Sequence, residues 1–177
     1  MSLQYQNLDT QTRHHMIAEL QADQAVGKLY IGPRLNETGV AAWASLLGEA
    51  ITAYDDAWLA SEIRNRGLLN THEERRKPTG GTTRAQVPAN AHETLAEGEF
   101  NRFYVRGLCL RAIQENILQV VAYRARQSEN PRAESEAIVG KTFSPTSLLN
   151  DLRASPGVEP ALGVPPGPNS GLSVRLP

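Results

Sequence analysis

The segment GEFNRFYVRGLCLRAI, residues 98–113, restricts the possible folds more than any other part of this chain. On a helical wheel its apolar and aromatic residues cover most directions, so a helix formed here has no wide polar face. Such a helix is central, and the rest of the chain must pack around it. The sequence therefore predicts a mainly α fold with a minor β component (α+β). We expect a single helical domain with one or two short strands.

The charged residues of this segment lie close together on the predicted helix. Glu99, Arg102 and Arg106 fall within about 60° of one another, and Glu99 and Arg102 have the i,i+3 spacing of a helical ion pair. Because buried charges are rarely left unpaired, we interpret the three as a buried ion-pair strip. Contact with a ligand or partner is the alternative. Cys109, in the same segment, is expected to be a small buried hydrophobe rather than a reactive thiol.

Further helices are indicated by capping residues and apolar spacing. Helices are predicted from Asp9 or Thr10, from near Thr38, from Asp55 or Asp56, and over residues 132–139 and 146–153. Asn90, with Glu93 three residues later, predicts the start of the central helix by a capping box. Strands are predicted over residues 28–31 and, from the alternation in LQVVAYRARQ, within residues 118–127. Continuation of the central helix is the alternative for residues 118–127.

Residues 70–90, NTHEERRKPTGGTTRAQVPAN, contain few apolar residues and predict a long polar loop. Loops of this length in a compact domain are usually functional or disordered. Arg75, Arg76, Lys77 and Arg84 lie there beside two glycines, a combination that suits phosphate oxygens. A second set, Arg124 and Arg126, is expected on an exposed strand face and extends the candidate nucleic-acid or phosphate contact. The competing interpretation of the loop is a solvated, mobile segment.

Residues 155–177 form a Pro/Gly-rich C-terminal arm that follows a globular domain over residues 1–154. The arm contains six of the eleven prolines, and proline blocks helix, so we expect an extended conformation. Its aliphatic residues predict a partner-binding arm that lies in a groove: Val158, Leu162, Val164, Leu172, Val174 and Leu176. The groove belongs to the arm's own domain or to a neighbouring subunit, and simple disorder is the remaining alternative.

Composition limits the chemistry that the chain can perform. The net charge is −1, with 18 basic and 19 acidic residues, whereas dedicated nucleic-acid domains usually have a basic excess. A single cysteine excludes an intramolecular disulfide, and the four histidines match no zinc pattern. We found no GxSxG, P-loop or GxGxxG motif. We therefore expect no metal, no cofactor and no catalytic residue, although carboxylates brought together by the fold could still form a site.

These features favour a non-enzymatic structural or assembly subunit of a larger protein particle. A tailed-phage virion component, such as a head–tail connector or a capsid-associated protein, is an example, and its partners would be homo- or hetero-oligomeric. The first alternative is a nucleic-acid-binding or acidic-substrate-processing factor that uses Arg75, Arg76, Lys77 and Arg84. The second is an intracellular partner-binding regulatory domain. Without a signal peptide or an apolar run of membrane-spanning length, we expect a cytoplasmic location, or the virion under the assembly hypothesis.

Overall fold

The computed structural model describes residues 2–127, 131, 133–155 and 170–177. Helices dominate the described residues, and the strands are short and antiparallel, so the mainly α class with a minor β component is confirmed. The helices are α1 (Thr10–Ala25), α2 (Glu37–Ala53), α3 (Asp56–Asn65), α4 (Ala91–Gln114), α5 (Ala133–Glu136) and α6 (Pro145–Ala154). The strands are β1 (His72–Arg76), β2 (Thr82–Gln86), β3 (Val120–Arg124), β4 (Thr142–Phe143) and β5 (Leu172–Arg175).

Side-chain caps begin four of the helices. Asp9, Asn36 and Asp55 each accept a hydrogen bond from the backbone N–H three residues later, and Ser144 does the same with Pro145 as the next residue. Each cap satisfies a donor that the first helical turn leaves free. The capping box predicted at Asn90 is wrong in its detail, because α4 begins there without a side-chain cap hydrogen bond. The position of the helix start was nevertheless correct.

Helix α4 is the centre of the fold. Helices α1, α3 and α6 pack against it from different sides, and Phe100, Phe103, Tyr104 and Leu108 are almost completely buried. Helix α1 lies so close that a Cβ added at Gly107 would be 2.6 Å from Cγ of Met16 and 2.8 Å from its backbone nitrogen. Glycine at this position therefore allows the two helix backbones to approach. This close packing explains why the segment is apolar nearly all round.

A three-stranded antiparallel sheet with the order β4-β3-β5 lies beside α4. Its central strand β3 falls within the strand predicted over residues 118–127, and its two faces are largely buried. The strand predicted over residues 28–31 is wrong. That segment is irregular, and the carbonyl of Tyr30 accepts a hydrogen bond from the indole N–H of Trp43 at 2.9 Å instead of joining a ladder.

The prediction of a structureless loop over residues 70–90 is also wrong. Strands β1 and β2 form an antiparallel hairpin, in register from His72 opposite Gln86 to Arg76 opposite Thr82. The hairpin closes through a β-turn with Pro78 at its second position, and Gly80 and Gly81 have φ of 91° and 78°. Eight of its ten strand residues are exposed. Because neither face is apolar, the alternation that normally reveals a strand is missing.

The C-terminal arm contributes a strand to the core. Strand β5 pairs with β3, and Leu172 and Val174 are 3% and 0% exposed, while Leu176 is partly buried against the same core. Residues 172–175 therefore dock on the chain's own domain, which is one of the two grooves that the sequence allowed. The other three predicted arm contacts, Val158, Leu162 and Val164, lie outside the described residues.

Candidate functional site

A charge cluster connects α1, α4 and α6: Glu19, Glu99, Arg102 and Arg106 are buried, Asp23 is half-buried and Arg153 is exposed. The guanidinium of Arg106 is 1% exposed and binds two carboxylates. Its Nε donates to Glu19 at 2.7 Å, and its Nη1 and Nη2 donate to Asp23 at 2.6 and 2.8 Å. Arg153 of α6 approaches Glu19 from the other side, with Nε at 3.0 Å. Burial alone would raise the pKa of Glu19, but Arg153 and Arg106 lower it below its ordinary value.

Arg102 has a different role from Arg106, although the two are one helical turn apart. It is 2% exposed and donates to the carbonyl oxygens of Leu152 and Ser155, the latter at 2.9 Å. These carbonyls lie at the end of α6, where backbone acceptors have no partner within the helix. Arg102 therefore caps the C-terminal end of α6 from the surface of α4. Burial lowers the pKa of this guanidinium.

Glu99 is the exception in the cluster. Its side chain is buried, and Oε2 has no hydrogen-bond partner. The predicted Glu99–Arg102 ion pair is not formed within 4.0 Å, because Arg102 turns towards α6 and Arg106 turns towards α1. Burial raises the pKa of Glu99 to about 7; attraction to Arg102 and Arg106 lowers it only in part, and repulsion from Asp23 raises it further. All three predicted strip residues are thus buried, but their partners differ from those predicted.

The acidic partners of Arg106 were missed by the sequence analysis. Glu19 and Asp23 are 87 and 83 residues away from Arg106, and Arg153 is 134 residues away from Glu19. Glu19 and Asp23 are spaced i,i+4 on α1, which places both acids on one helical face. That spacing was the available signal, but it is also common on solvated helices. The contact becomes visible only when α1 is packed on α4.

The other groups with strongly perturbed acidity lie inside the core. Burial raises the pKa of Cys109 to about 12, so its thiol is protonated and unreactive near neutral pH. Burial likewise raises the pKa of Tyr104, whose hydroxyl accepts a hydrogen bond from the backbone N–H of Asn7 at 3.2 Å. Both side chains are completely buried. Neither therefore presents a nucleophile or an acid to a substrate.

The hairpin carries the four cations that the sequence analysis proposed as a phosphate contact. Arg75 is engaged locally, because its Nε donates to Glu73 at 2.7 Å. Glu73 also accepts two hydrogen bonds from the guanidinium of Arg34. Nη2 donates to Oε1 at 3.1 Å, and Nε donates to Oε2 at 2.5 Å. This fork holds the base of the hairpin. Arg76, Lys77 and Arg84 are exposed, and the structure shows no ion pair for them within the residues it describes.

Arg124 and Arg126 do not lie on an exposed strand face, and this prediction is corrected. The Arg124 side chain is 12% exposed; its Nη2 is 2.5 Å from Glu136, and its Nη1 donates to the carbonyl of Ser170 at 2.9 Å. Arg126 pairs with Glu97, which is itself buried. Strand β3 is largely buried along its length, which leaves no exposed face for these arginines. These two arginines thus differ from Arg76, Lys77 and Arg84 of the hairpin, because they are less exposed and each pairs with a glutamate.

A strand slot receives β5, and we define it by β3, Asn101 of α4 and Asn7. The side-chain amide of Asn101 donates to the carbonyl of Leu172 at 2.9 Å and accepts from the hydroxyl of Ser173 at 2.7 Å. Asn7 accepts from the backbone N–H of Leu176 at 3.0 Å. Sequence analysis anticipated Leu172, Val174 and Leu176 but not the two asparagines. A lone buried asparagine on an apolar helix was the missed signal, since such a group requires partners.

The N-terminal segment lies against the same sheet. Gln4 donates its backbone N–H to the carbonyl of Ala125 at 2.8 Å, and Leu3 donates to Asp56 at 3.1 Å. The ring of Tyr5 contacts Phe100 and Tyr104, with centroids 5.2 and 4.7 Å away. Residues near both ends of the sequence therefore meet at β3.

The described residues contain neither a metal-binding cluster nor a membrane-spanning helix. Within residues 2–127, 131, 133–155 and 170–177, no group of three or more His, Cys, Asp or Glu side chains is arranged to hold a metal ion. In the same part of the chain, no helix combines the length and apolar character needed to cross a membrane. The depression beside the hairpin is open and lined by polar side chains, among them His72, Glu74 and Arg84. No protein-family model, curated protein or solved structure matches the chain.

Proposed function

We propose that this chain is a non-enzymatic structural subunit of a larger protein assembly. A tailed-phage virion component, such as a head–tail connector or a capsid-associated protein, is the type of subunit that we have in mind. The observation that carries the proposal is the β1–β2 hairpin, which has an anchored base and an exposed body. The hairpin adds almost nothing to the core of its own chain. Its value to the protein must therefore lie in what it contacts.

The physical chemistry of an isolated hairpin supports this interpretation. A two-stranded sheet is only marginally stable in water by itself, and each outer edge presents N–H and C=O groups that can pair with another strand. Here the Arg34–Glu73 fork and the backbone bond from Val87 N–H to Thr71 O hold the base in place. A hairpin held out from the body in this way suits contact with a neighbouring subunit. Pairing or packing there would bury both strands.

The location of the ionisable groups supports a structural role in a second way. The strongly perturbed groups, Glu99, Tyr104 and Cys109, are sealed within the packing of α4. Active sites place such groups in a cleft that a substrate can enter. In this chain they instead lie in the packed interior around α4, where a substrate has no access.

The test is to remove the hairpin, together with the Arg34–Glu73 fork, while keeping the Thr71–Val87 backbone bond at its base. Residues 72–86 are replaced by Asn-Gly, a two-residue hairpin turn, so that the Thr71–Val87 backbone bond can still close. Light scattering after size-exclusion chromatography should show an oligomer for the full chain and a loss of association for the variant. Circular dichroism and thermal unfolding should show that the variant's helical body is intact. Val26→Ser, at an exposed side chain on another part of the surface, is the control and should leave the oligomer unchanged.

Two results would argue against the assembly proposal. One is a full chain that remains monomeric up to several hundred micromolar protein. The other is an oligomer whose mass does not change when the hairpin is replaced and the body remains folded. In the second case the association would depend on another surface.

A second candidate function is binding of a nucleic acid or another polyanion through the hairpin. The observation that favours it is that Arg76, Lys77 and Arg84 are exposed and without an ion pair in the described part of the chain, beside a turn with two glycines. Lysine and arginine beside a glycine turn suit phosphate oxygens. Glu74, directly opposite Arg84 in the register, reduces the local charge. The hairpin alone would therefore bind weakly.

Fluorescence anisotropy with a labelled DNA or RNA oligonucleotide tests this candidate. Binding through three phosphate contacts predicts that log K falls linearly with log salt concentration, with a slope of about −2 to −3. Arg76→Ala/Arg84→Ala should reduce both the affinity and the slope. Arg66→Ala, at an exposed arginine that caps the C-terminal end of α3, is the control. Binding that is independent of salt, or equal in both variants, would contradict the proposal.

A further inference from the structure

The strand slot holds β5 by contacts that do not require β5 to come from the same chain. Strand β5 is linked to α6 by residues 156–169. Its contacts in the slot are the β3 ladder, the Asn101 amide and the Asn7 side chain. None of these contacts involves α6. A second copy of the chain offers the same partners in the same register.

The slot must be filled for the core to be complete. Without β5, Asn101 would keep a buried amide with neither its acceptor at Leu172 nor its donor at Ser173. An unsatisfied buried polar group is costly, and the vacated positions of Leu172 and Val174 would leave a cavity against α4. An empty slot is therefore the least favourable state. The choice lies between the chain's own strand and the same strand from another copy.

The connecting segment is long enough for either choice. Fifteen residue steps separate Ser155 from Ser170, and a chain of that length can reach up to about 50 Å. A compact chain of 177 residues has a radius of gyration of about 16 Å, and hence a diameter of about 40 Å. A segment of this length can thus connect α6 of one copy with the slot of an adjacent one.

We propose that β5 of one copy occupies the strand slot of a second copy within the assembly. This inference rests on the proposed assembly function and names the partner as another copy of this chain. The exchanged strand would add to the hairpin contact a link that cannot dissociate without opening a core. Exchange conserves the contacts of each core, so the assembled and separate forms would have the same secondary structure. The difference between them is only which chain supplies β5.

The experiment uses two full-length variants with one new cysteine each. Val121 and Arg175 are direct partners in the β3–β5 register and are both half-buried. Antiparallel partners lie about 4.5 to 5.5 Å apart between Cα atoms, within the range that a disulfide bridges. Val121→Cys and Arg175→Cys chains, one of them carrying a mass tag, are unfolded together in urea, refolded and oxidised. The native Cys109 is completely buried and does not compete.

Strand exchange predicts a mixed disulfide dimer that carries one tagged and one untagged chain on a non-reducing gel. The matched control replaces Val121→Cys with Leu118→Cys, at an 83% exposed position outside the register, and should give no enrichment of mixed dimer. The double variant Val121→Cys/Arg175→Cys reports the alternative. If strand exchange is absent, the double variant forms its disulfide only within single chains. The mixture of Val121→Cys and Arg175→Cys chains then gives no more dimer than the control.

The result also separates this inference from the proposed function. Oligomers by light scattering together with disulfides only within single chains would overturn strand exchange and leave the assembly proposal standing. Monomers by light scattering together with disulfides only within single chains would overturn both. A mixed dimer that exceeds the control supports both.

Discussion

Replacing Glu99 by glutamine should change how the stability of this protein depends on pH. Glutamine has nearly the same shape but is neutral at every pH. The folded chain raises the pKa of Glu99 to about 7 from an ordinary value of 4.5, because the carboxyl is buried with Oε2 unpartnered. Between these two values the folded state binds the proton more tightly than the unfolded state. The contribution of this group to stability is therefore lost as pH rises from 4.5 to 7.

The size of the effect follows from the difference between the two pKa values. Each unit is worth about 1.4 kcal/mol, so the ionisation of Glu99 destabilises the folded chain by roughly 3 kcal/mol above pH 8 compared with acid conditions. At pH 5 most of that penalty is absent. The free energy of unfolding of Glu99→Gln, minus that of the unmodified chain, should therefore increase by roughly 2 to 3 kcal/mol between pH 5 and pH 8. The variant becomes relatively more stable as pH rises.

Urea denaturation followed by circular dichroism at pH 5, 6, 7 and 8 measures this difference. The other titratable groups are present in both proteins, so their contributions cancel in the comparison. Glu93→Gln is the matched control, because Glu93 is exposed in the first turn of the same helix. It measures what the same substitution does at a solvent-exposed site of that helix.

Two outcomes would refute the reasoning about Glu99. A level difference between Glu99→Gln and the unmodified chain would mean that the carboxyl has the same pKa folded and unfolded. A difference of opposite sign, with the glutamine variant becoming relatively less stable as pH rises, would mean that the carboxylate is ionised and paired with Arg102 or Arg106. That second outcome would restore the ion pair predicted from sequence.

The packing around α4 yields three further predictions, each measured by urea denaturation at neutral pH. Gly107→Ala should destabilise the chain by about 1 to 3 kcal/mol, because the added Cβ would meet α1. Gly98→Ala, with open space around the added Cβ, should stabilise the same helix by about 0.5 to 1 kcal/mol. Equal effects of the two substitutions would contradict the close contact between α1 and α4. Arg106→Ala leaves Glu19 and Asp23 short of a partner and should cost about 3 to 5 kcal/mol, against less than about 1 for the exposed Arg66→Ala. Leu172→Ala should cost about 2 to 5 kcal/mol if β5 is a core strand, and no loss would place it outside the core.

The helical part of the fold was accessible from sequence because its signals are local. Caps such as Asp9, Asp55 and Ser144 act within three residues, and the apolar spacing of the helices is set by their own period. The all-round apolar character of residues 98–113 even identified the central helix. The burial of Arg102 and Arg106 followed from the same observation.

The partners of those arginines were not accessible, because they depend on how helices pack. The i,i+3 spacing of Glu99 and Arg102 suggested a local pair, but each arginine found acceptors on another helix. A backbone carbonyl at the end of α6 has no sequence signature as an acceptor. A buried group is paired by whichever acceptor the tertiary structure brings close, and proximity along the chain is a weak guide to that.

The hairpin shows a different reason for failure. Sequence patterns reveal strands mainly through a buried face, and the β1–β2 hairpin has none. Only its turn left a signal, in Pro78 and the Gly80-Gly81 pair. For the arm, by contrast, the aliphatic character of β5 predicted burial correctly, since Leu172 and Val174 are 3% and 0% exposed.

Hydrogen–deuterium exchange of the full chain at low and high protein concentration tests the central claim most directly. The account predicts that amides of β5 are protected at both concentrations, because the slot is always filled by one copy or another. Amides of the β1–β2 hairpin should exchange quickly in dilute solution and become protected as the chains associate. Rapid exchange in β5, or a hairpin whose protection is the same in both conditions, would contradict the account.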